Sequence, residues 1–264
     1  MSADVRIEDD FELAVAEPGT RFRTLYVRVQ PPEATETETV SPGEMRARAV
    51  AGCAASQVAW AHGLLNGTGV ARDPEAAFRW FVRAAGSGNA DALNMLGRCH
   101  EFGWGTAPDP AEAVRCYTAA AEKGHAWGEF NLGTLYAQGR FVTQDTEKAL
   151  SLLVRSARRG NPKAMNMIGR YREGSDTPRR RERSAALWYR WAAERGCFRG
   201  AFHHGRHLID AGRMSDGIRW VVTSLSHAPQ DFRDEAVAYL AAHPSPQVRE
   251  LVAGIGNSER GAAS

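Results

Sequence analysis

The 264-residue chain carries 33 Lys and Arg against 31 Asp and Glu, a formal net charge of +2, so no global field marks it for nucleic acid or for an anionic membrane. Hydrophobic residues make up 43% of it, enough for a core in one or two domains, and an unbroken internal repeat favours one elongated domain. Of the basic residues only Lys123, Lys148 and Lys163 are lysine, a bias from which no function follows.

The first twenty residues contain Asp4, Glu8, Asp9, Asp10 and Glu12 and no apolar run, so neither a signal peptide nor a membrane span is expected, and the chain is expected in the cytoplasm. Residues 1–40 read as a largely irregular N-terminal arm, with a strand-like run from Leu25 to Val29 ahead of the acidic, Thr-rich stretch Pro31 to Thr39. That arm is either a disordered leader or a segment, Phe22 to Val29, that packs against the array or a partner. Ser41 then suits an N-cap, with Pro42 at N1 and Glu44 at N3, so Glu44 to Ala51 is expected as a lone helix capping the array.

From there a 36-residue unit repeats, seen most clearly from Asp91 to Ala126. It reads as two helices. The first ends at Gly103; Asp109 and Pro110 open the second, which stops at Gly124. The terminal glycine recurs as Gly52, Gly88, Gly124, Gly160 and Gly196, and an alanine column as Ala49, Ala85, Ala121, Ala157 and Ala193. Within the first helix stands Gly97, Gly133, Gly169 or Gly205, with Ala61 in the first copy; the column Phe81, Tyr117, Leu153, Tyr189 is bulky. Small columns let helices approach, and the bulky column fills the space between neighbouring pairs, so stacked units bury a core that no single unit could form.

Full copies span roughly 55–90, 91–126, 127–162 and 163–198, and a fifth runs from Arg199 to about Ala228. In the fourth copy the loop from Gly174 to Arg183 has lost its Gly-x-Gly and its Asp cap; in the fifth the loop is about four residues shorter. The repeat array is thus placed at 41–228. Phe232 to Ala242 and Pro246 to Val252 read as two capping helices within 229–254, and 255–264 as a flexible tail.

The run Asn131-Leu132-Gly133-Thr134-Leu135-Tyr136-Ala137-Gln138-Gly139 resembles the unit of the Sel-one-like repeat family, a branch of the tetratricopeptide-like solenoids. The likeness covers residues 41 to 226. It implies an all-α fold, a right-handed α/α superhelical solenoid of about five helix pairs, and a non-catalytic scaffold or regulatory adaptor for protein–protein contacts. The wording ALNMLGRCHEFGWG is similar to stand-alone cytoplasmic bacterial members encoded near iron-dependent hydroxylases of siderophore-uptake regions, which makes such a hydroxylase a candidate partner. Some secreted members staple every repeat with a disulfide. That spacing is absent here: Cys53 and Cys197 share a column four repeats apart, and Cys99 and Cys116 read as a reduced, buried pair.

In solenoids of this kind the first helices line the concave face, where residues four apart share a stripe. On that stripe Asn94, Phe130, Asn166 and Phe202 precede Arg98, Thr134, Arg170 and Arg206, with His62 ahead of them. The pattern is either a solvated helix face or a groove for a peptide carrying carboxylates, which arginine pairs bidentately while rings anchor apolar groups.

The residues suggest two other chemistries. Arg179, Arg180, Arg181 and Arg183 form the densest charge, in the irregular loop of the fourth copy: a solvated loop, a hook for an acidic surface, or a nucleic-acid contact that lacks the expected aromatic interleaving. His203, His204 and His207 invite a metal or enzymatic reading, but no glutamate stands between them, no third ligand is evident, and His204 falls in the core column of Leu96, Leu132 and Ile168. No nucleophile elbow, Walker loop or dinucleotide fingerprint occurs, so no cofactor, metal or catalytic residue is expected.

Overall fold

The computed structural model describes residues 40–174 and 179–249, with backbone only for 179–183. The arm before residue 40, with its strand-like run, and the tail lie outside these residues. Every regular element among them is a helix. A lone α1 (Pro42–Val50) is followed by the pairs α2 (Ala54–Asn66) and α3 (Pro74–Gly86), α4 (Ala90–Phe102) and α5 (Pro110–Glu122), α6 (Ala126–Gln138) and α7 (Thr146–Arg158). Then come α8 (Pro162–Glu173) and α9 (Arg179–Glu194), α10 (Phe198–Asp210) and α11 (Met214–His227), and finally α12 (Gln230–Ala241). Consecutive helices pack as the antiparallel pairs of an α/α solenoid.

The boundaries follow from capping chemistry. Ser41 Oγ accepts from the Glu44 N–H at 3.3 Å and opens α1. Asp73, Asp109 and Asp145 do the same for the second helices, accepting at 2.8–3.0 Å, with proline at N1 after the first two. Each of the first four pairs ends on a glycine in the left-handed region, as at Gly124 (φ 74), where a side chain would be strained and would also meet the Arg159 guanidinium, whereas α11 ends at Ala228 in extended conformation.

The fourth copy departs from the expected loop. Residues Arg179 to Arg183 are the first turns of α9, three residues ahead of the register set by α3, α5 and α7, instead of an irregular loop. Arginine and glutamate are strong helix formers, and nothing after Pro178 interrupts them. In the fifth copy α11 begins four residues early, after a turn through Gly212 (φ 78). After α12 a further helical turn starts at 246 and reaches 249, where description stops; its Val248 is buried in the C-terminal core.

The chain divides into two compact units, residues 1–164 and 165–264. In the first, α2 to α5 enclose Val58, Leu65, Phe81, Met95, Leu96 and Cys99, and α5 to α7 enclose Tyr117, Leu132, Leu135 and Leu152. Gln57 Nε2 donates to the Ala49 carbonyl at 3.1 Å and ties the half-repeat to α2. Glu129, fully buried, takes Arg155 Nε on one oxygen at 2.8 Å and faces Arg159 Nε with the other at 3.3 Å, locking α6 to α7. In the second unit Phe202, Ile209, Val221, Leu225, Phe232 and Leu240 make the core. The Ser156–Ala126 hydrogen bond of 2.6 Å in the first unit reappears as Ser224–Phe198 at 2.7 Å in the second.

All four cysteines are free thiols, and burial pushes Cys99 up to about 12. Among the described residues no helix is long and apolar enough to cross a membrane.

Candidate functional site

The first-helix stripe is set by helical geometry: residues four apart in α4 and α6 point the same way, and neighbouring pairs bring those stripes side by side. In the N-terminal unit this produces a cavity of about 460 Å³. Asn94 and Arg98 from α4, Phe130 and Thr134 from α6, and His62 from α2 all line it. The sequence pattern therefore brought five of its residues to one place. It missed Trp127, Lys163, Arg140 and the Glu101–Tyr117 pair, which line the same cavity. Trp127 could have been found, since it stands four residues before Asn131 on the cavity face of α6; Arg140 lies in the loop past α6, and Lys163 stands at the start of α8, three residues before the stripe position Asn166.

The floor is polar and fixed. Asn131 Nδ2 donates to Asn94 Oδ1 at 2.9 Å, joining adjacent repeats, and Asn94 is 4% exposed. The Tyr117 hydroxyl donates to Glu101 Oε2 at 2.6 Å, while Arg140 reaches the other oxygen at 2.9 Å. Burial, and then that hydrogen bond to a carboxylate, raise the Tyr117 phenol far above its ordinary range, so it remains a neutral donor.

The cations are held differently. Arg98 lies over the Trp104 ring at 4.6 Å, Lys163 over Trp127 at 5.4 Å and Arg140 over Phe141 at 4.5 Å. Trp127 and Phe130 meet edge to face at 5.9 Å. The Thr134 hydroxyl donates to the Phe130 carbonyl at 2.9 Å. Amides, positive charge and aromatic faces around an open cavity are recognition chemistry.

In the C-terminal unit the stripe residues have other work. Phe202 is 6% exposed and packs edge to face on Phe232 and Tyr239 at 5.6 and 5.8 Å. Arg206 pairs with Glu173 and lies over Tyr239 at 5.7 Å. Asn166 is buried with its Oδ1 unpartnered, and Arg170 is exposed. The side chains of Arg179, Arg180, Arg181 and Arg183 lie outside the described residues.

The three histidines do not converge on one point, although His203 and His207 both lie against Tyr189. His203 stacks on Tyr189 at 4.6 Å, His204 meets Trp220 at 5.5 Å, and His207 Nε2 lies 3.4 Å from Glu173 Oε1. Burial lowers His203 and His204 to about 4. Glu173 is lowered to about 2, first by its hydrogen bond with His207, then by Tyr189 and Arg206 against the opposing effect of burial. Among the described residues no three His, Cys, Asp or Glu side chains gather as a metal site.

The Sel1 repeat family matches the chain at residues 54–89, 90–125, 128–161 and 162–197, one helix pair per match. Among curated proteins none matches. Among solved structures the chain is similar to a Sel1 repeat protein from Oxalobacter formigenes, 22% identical, with a TM-score of 0.65 over 83% of this chain and 99% of that one. It is also similar to a protective antigen of uropathogenic Escherichia coli strains that displays an SLR fold, 26% identical, TM-score 0.59, over 80% of this chain and 46% of the antigen. An immunity protein from Pseudomonas aeruginosa, 16% identical with a TM-score of 0.54 over 75% of each chain, shares the fold.

Proposed function

The chain belongs to the Sel1 repeat family, whose helix-pair arrays are generally protein-interaction scaffolds, and from that premise we propose that it is a non-catalytic scaffold or adaptor holding a protein or peptide segment on its first-helix face. The observation that carries this reading is the cavity on which Asn94, Arg98, Phe130 and Thr134 converge from successive first helices. A floor amide pair offers hydrogen bonds of the kind a peptide backbone seeks, and Arg98, held over the Trp104 ring, adds positive charge to a cavity that Asp91 and Glu101 also line. The resemblance of the second repeat adds an iron-dependent hydroxylase of an iron-uptake region as a candidate partner, bound in the cytoplasm.

The test is affinity capture with the tagged chain from its own host, comparing Arg98→Glu with Arg115→Glu, a change at an exposed arginine of α5. Arg98→Glu is expected to lose the captured protein and Arg115→Glu to keep it, with helicity unchanged in both. Equal capture by the two variants removes the cavity from the function.

A further inference from the structure

The loop after α6 contains a residue that the fold itself does not favour. In the first and second repeats the second glycine of the loop, Gly69 and Gly105, has φ of 73° and 70°; in the third that column holds Phe141 with φ of 67°. Among the described residues it is the one non-glycine with positive φ. A β-carbon at Gly105 would come within 2.0 Å of the Pro74 carbonyl oxygen, so the column is built for glycine. A bulky side chain in the left-handed region is a strained choice.

Phe141 does not repay that strain in the core. It is 40% exposed and belongs to neither apolar cluster of its unit, although its neighbour Val142 packs against one. Instead its ring lies under Arg140, the cation that lines the cavity and is held from its other side by Glu101. Phe141 thus adjoins the cavity through Arg140 without lining it, whereas the exposed rings Phe102 and Trp127 do line it, at 50% and 40% exposure.

Cations outnumber carboxylates around this cavity: Arg98, Arg140 and Lys163 line it with Asp91 and Glu101, and Glu101 is paired with Arg140. Arg48, Arg115 and Arg190, on other helices, each meet a glutamate of their own helix. Here Arg98 and Lys163 rest on indole faces, which orient a cation without cancelling its charge. Ring-held cations next to solvent-facing rings suit one kind of ligand: an anion attached to something apolar.

We propose that Phe141, beside the cavity under its lining residue Arg140, is a partner-contacting residue at the cavity's edge, and that the site takes a peptide in which a carboxylate side chain adjoins a large apolar one. The inference rests on the cavity being the partner site. Arg98, Lys163 and Arg140 receive the carboxylate, and Phe141, Trp127 and Phe102 receive the apolar side chain. The third repeat keeps phenylalanine where glycine would fit because the ring serves the ligand.

The test uses the full chain and fluorescein-labelled octapeptides with a central Glu-Phe, Gln-Phe or Glu-Ala pair in a Gly-Ser background, read by fluorescence anisotropy. Glu-Phe is expected to bind, and Gln-Phe to bind about tenfold more weakly. Phe141→Gly and Phe141→Ala should each weaken Glu-Phe binding about fivefold and leave the weaker Glu-Ala binding nearly unchanged. Of the two variants the glycine form should melt at the higher temperature, because it alone relieves the backbone. Unchanged Glu-Phe affinity in both variants overturns the inference, as does the absence of binding by any of the peptides. Arg98→Glu tells the two failures apart: if it abolishes Glu-Phe binding while the Phe141 variants bind normally, the cavity stands and only the role of Phe141 falls. If it leaves Glu-Phe binding intact, the cavity itself is the wrong site.

Discussion

At the scale of single residues, two positions show opposite uses of a costly feature. Glu129 is a fully buried carboxylate whose Arg155 and Arg159 partners are half exposed. Glu129→Gln should destabilise the N-terminal unit by about 1–2 kcal/mol in urea unfolding: the pair is broken in a buried place, but the arginines can turn to water. A shift under a few tenths would mean that α6 and α7 are held by apolar packing alone. Phe141 carries its strain in the backbone, so Phe141→Gly should be more stable than Phe141→Ala by about 1 kcal/mol, although both remove the same ring. These two residues were not legible in the sequence for different reasons. Glu129 occupies no repeated column, and its arginines come from a helix that only the fold brings near. Phe141 stands in a visible column, but a phenylalanine in a glycine slot reads as drift until its φ is known.

At the scale of helices the sequence was most informative. Ser41 and Asp109 each satisfy an orphan N–H at the helix start where they were expected to, and Asp73 and Asp145 do the same one repeat to either side of Asp109. The small columns also have a physical meaning. A β-carbon on Gly97 would come within 2.6 Å of the Tyr117 ring, and one on Gly169 equally close to Tyr189. Gly97→Ala is therefore expected to cost about 1–3 kcal/mol through overpacking between α4 and α5, measurable as a lowered melting temperature. An unchanged melt would show that Tyr117 can move aside, and with it the hydrogen bond to Glu101. At Arg179 to Arg183 the loop expected from the missing Asp cap is helix instead, because a cap adds only about 1 kcal/mol and helix propensity over several arginines outweighs it. The stripe on the first helices meets one cavity in the N-terminal unit, but in the C-terminal unit its residues turn to other neighbours, most plainly in the last repeat. There Phe202 meets Phe232 of α12, an element outside the period, so column arithmetic had no means of placing that ring in the core.

At the scale of the whole molecule, acid should bear on the C-terminal unit in two windows. His203 and His204 are lowered by burial to about 4, so the fold favours their neutral rings. Their contribution is complete above about pH 6.5, the ordinary histidine value, and is lost as pH falls from there towards 4. Glu173, lowered to about 2, contributes fully above the ordinary carboxylate range and loses its contribution only as pH falls further towards 2. His203→Phe, which can keep the stack on Tyr189, should therefore lose less stability than the parent chain between pH 7 and 5 in fluorescence-monitored urea melts. Equal losses would exclude His203 as a source of the acid effect.

The Glu101–Tyr117 bond of the second copy returns as Glu173–Tyr189, 2.8 Å, in the fourth. Between and around them the same two columns hold Leu65 and Phe81, Ala137 and Leu153, and, allowing for the short loop, Ile209 and Val221. Hairpins thus come in two alternating kinds, polar-bolted and greasy. Anyone shortening or lengthening this protein by cut and paste should work in doublets. Excising one hairpin sets two of the same kind shoulder to shoulder, whereas excising two in succession restores every junction the chain already knows how to make.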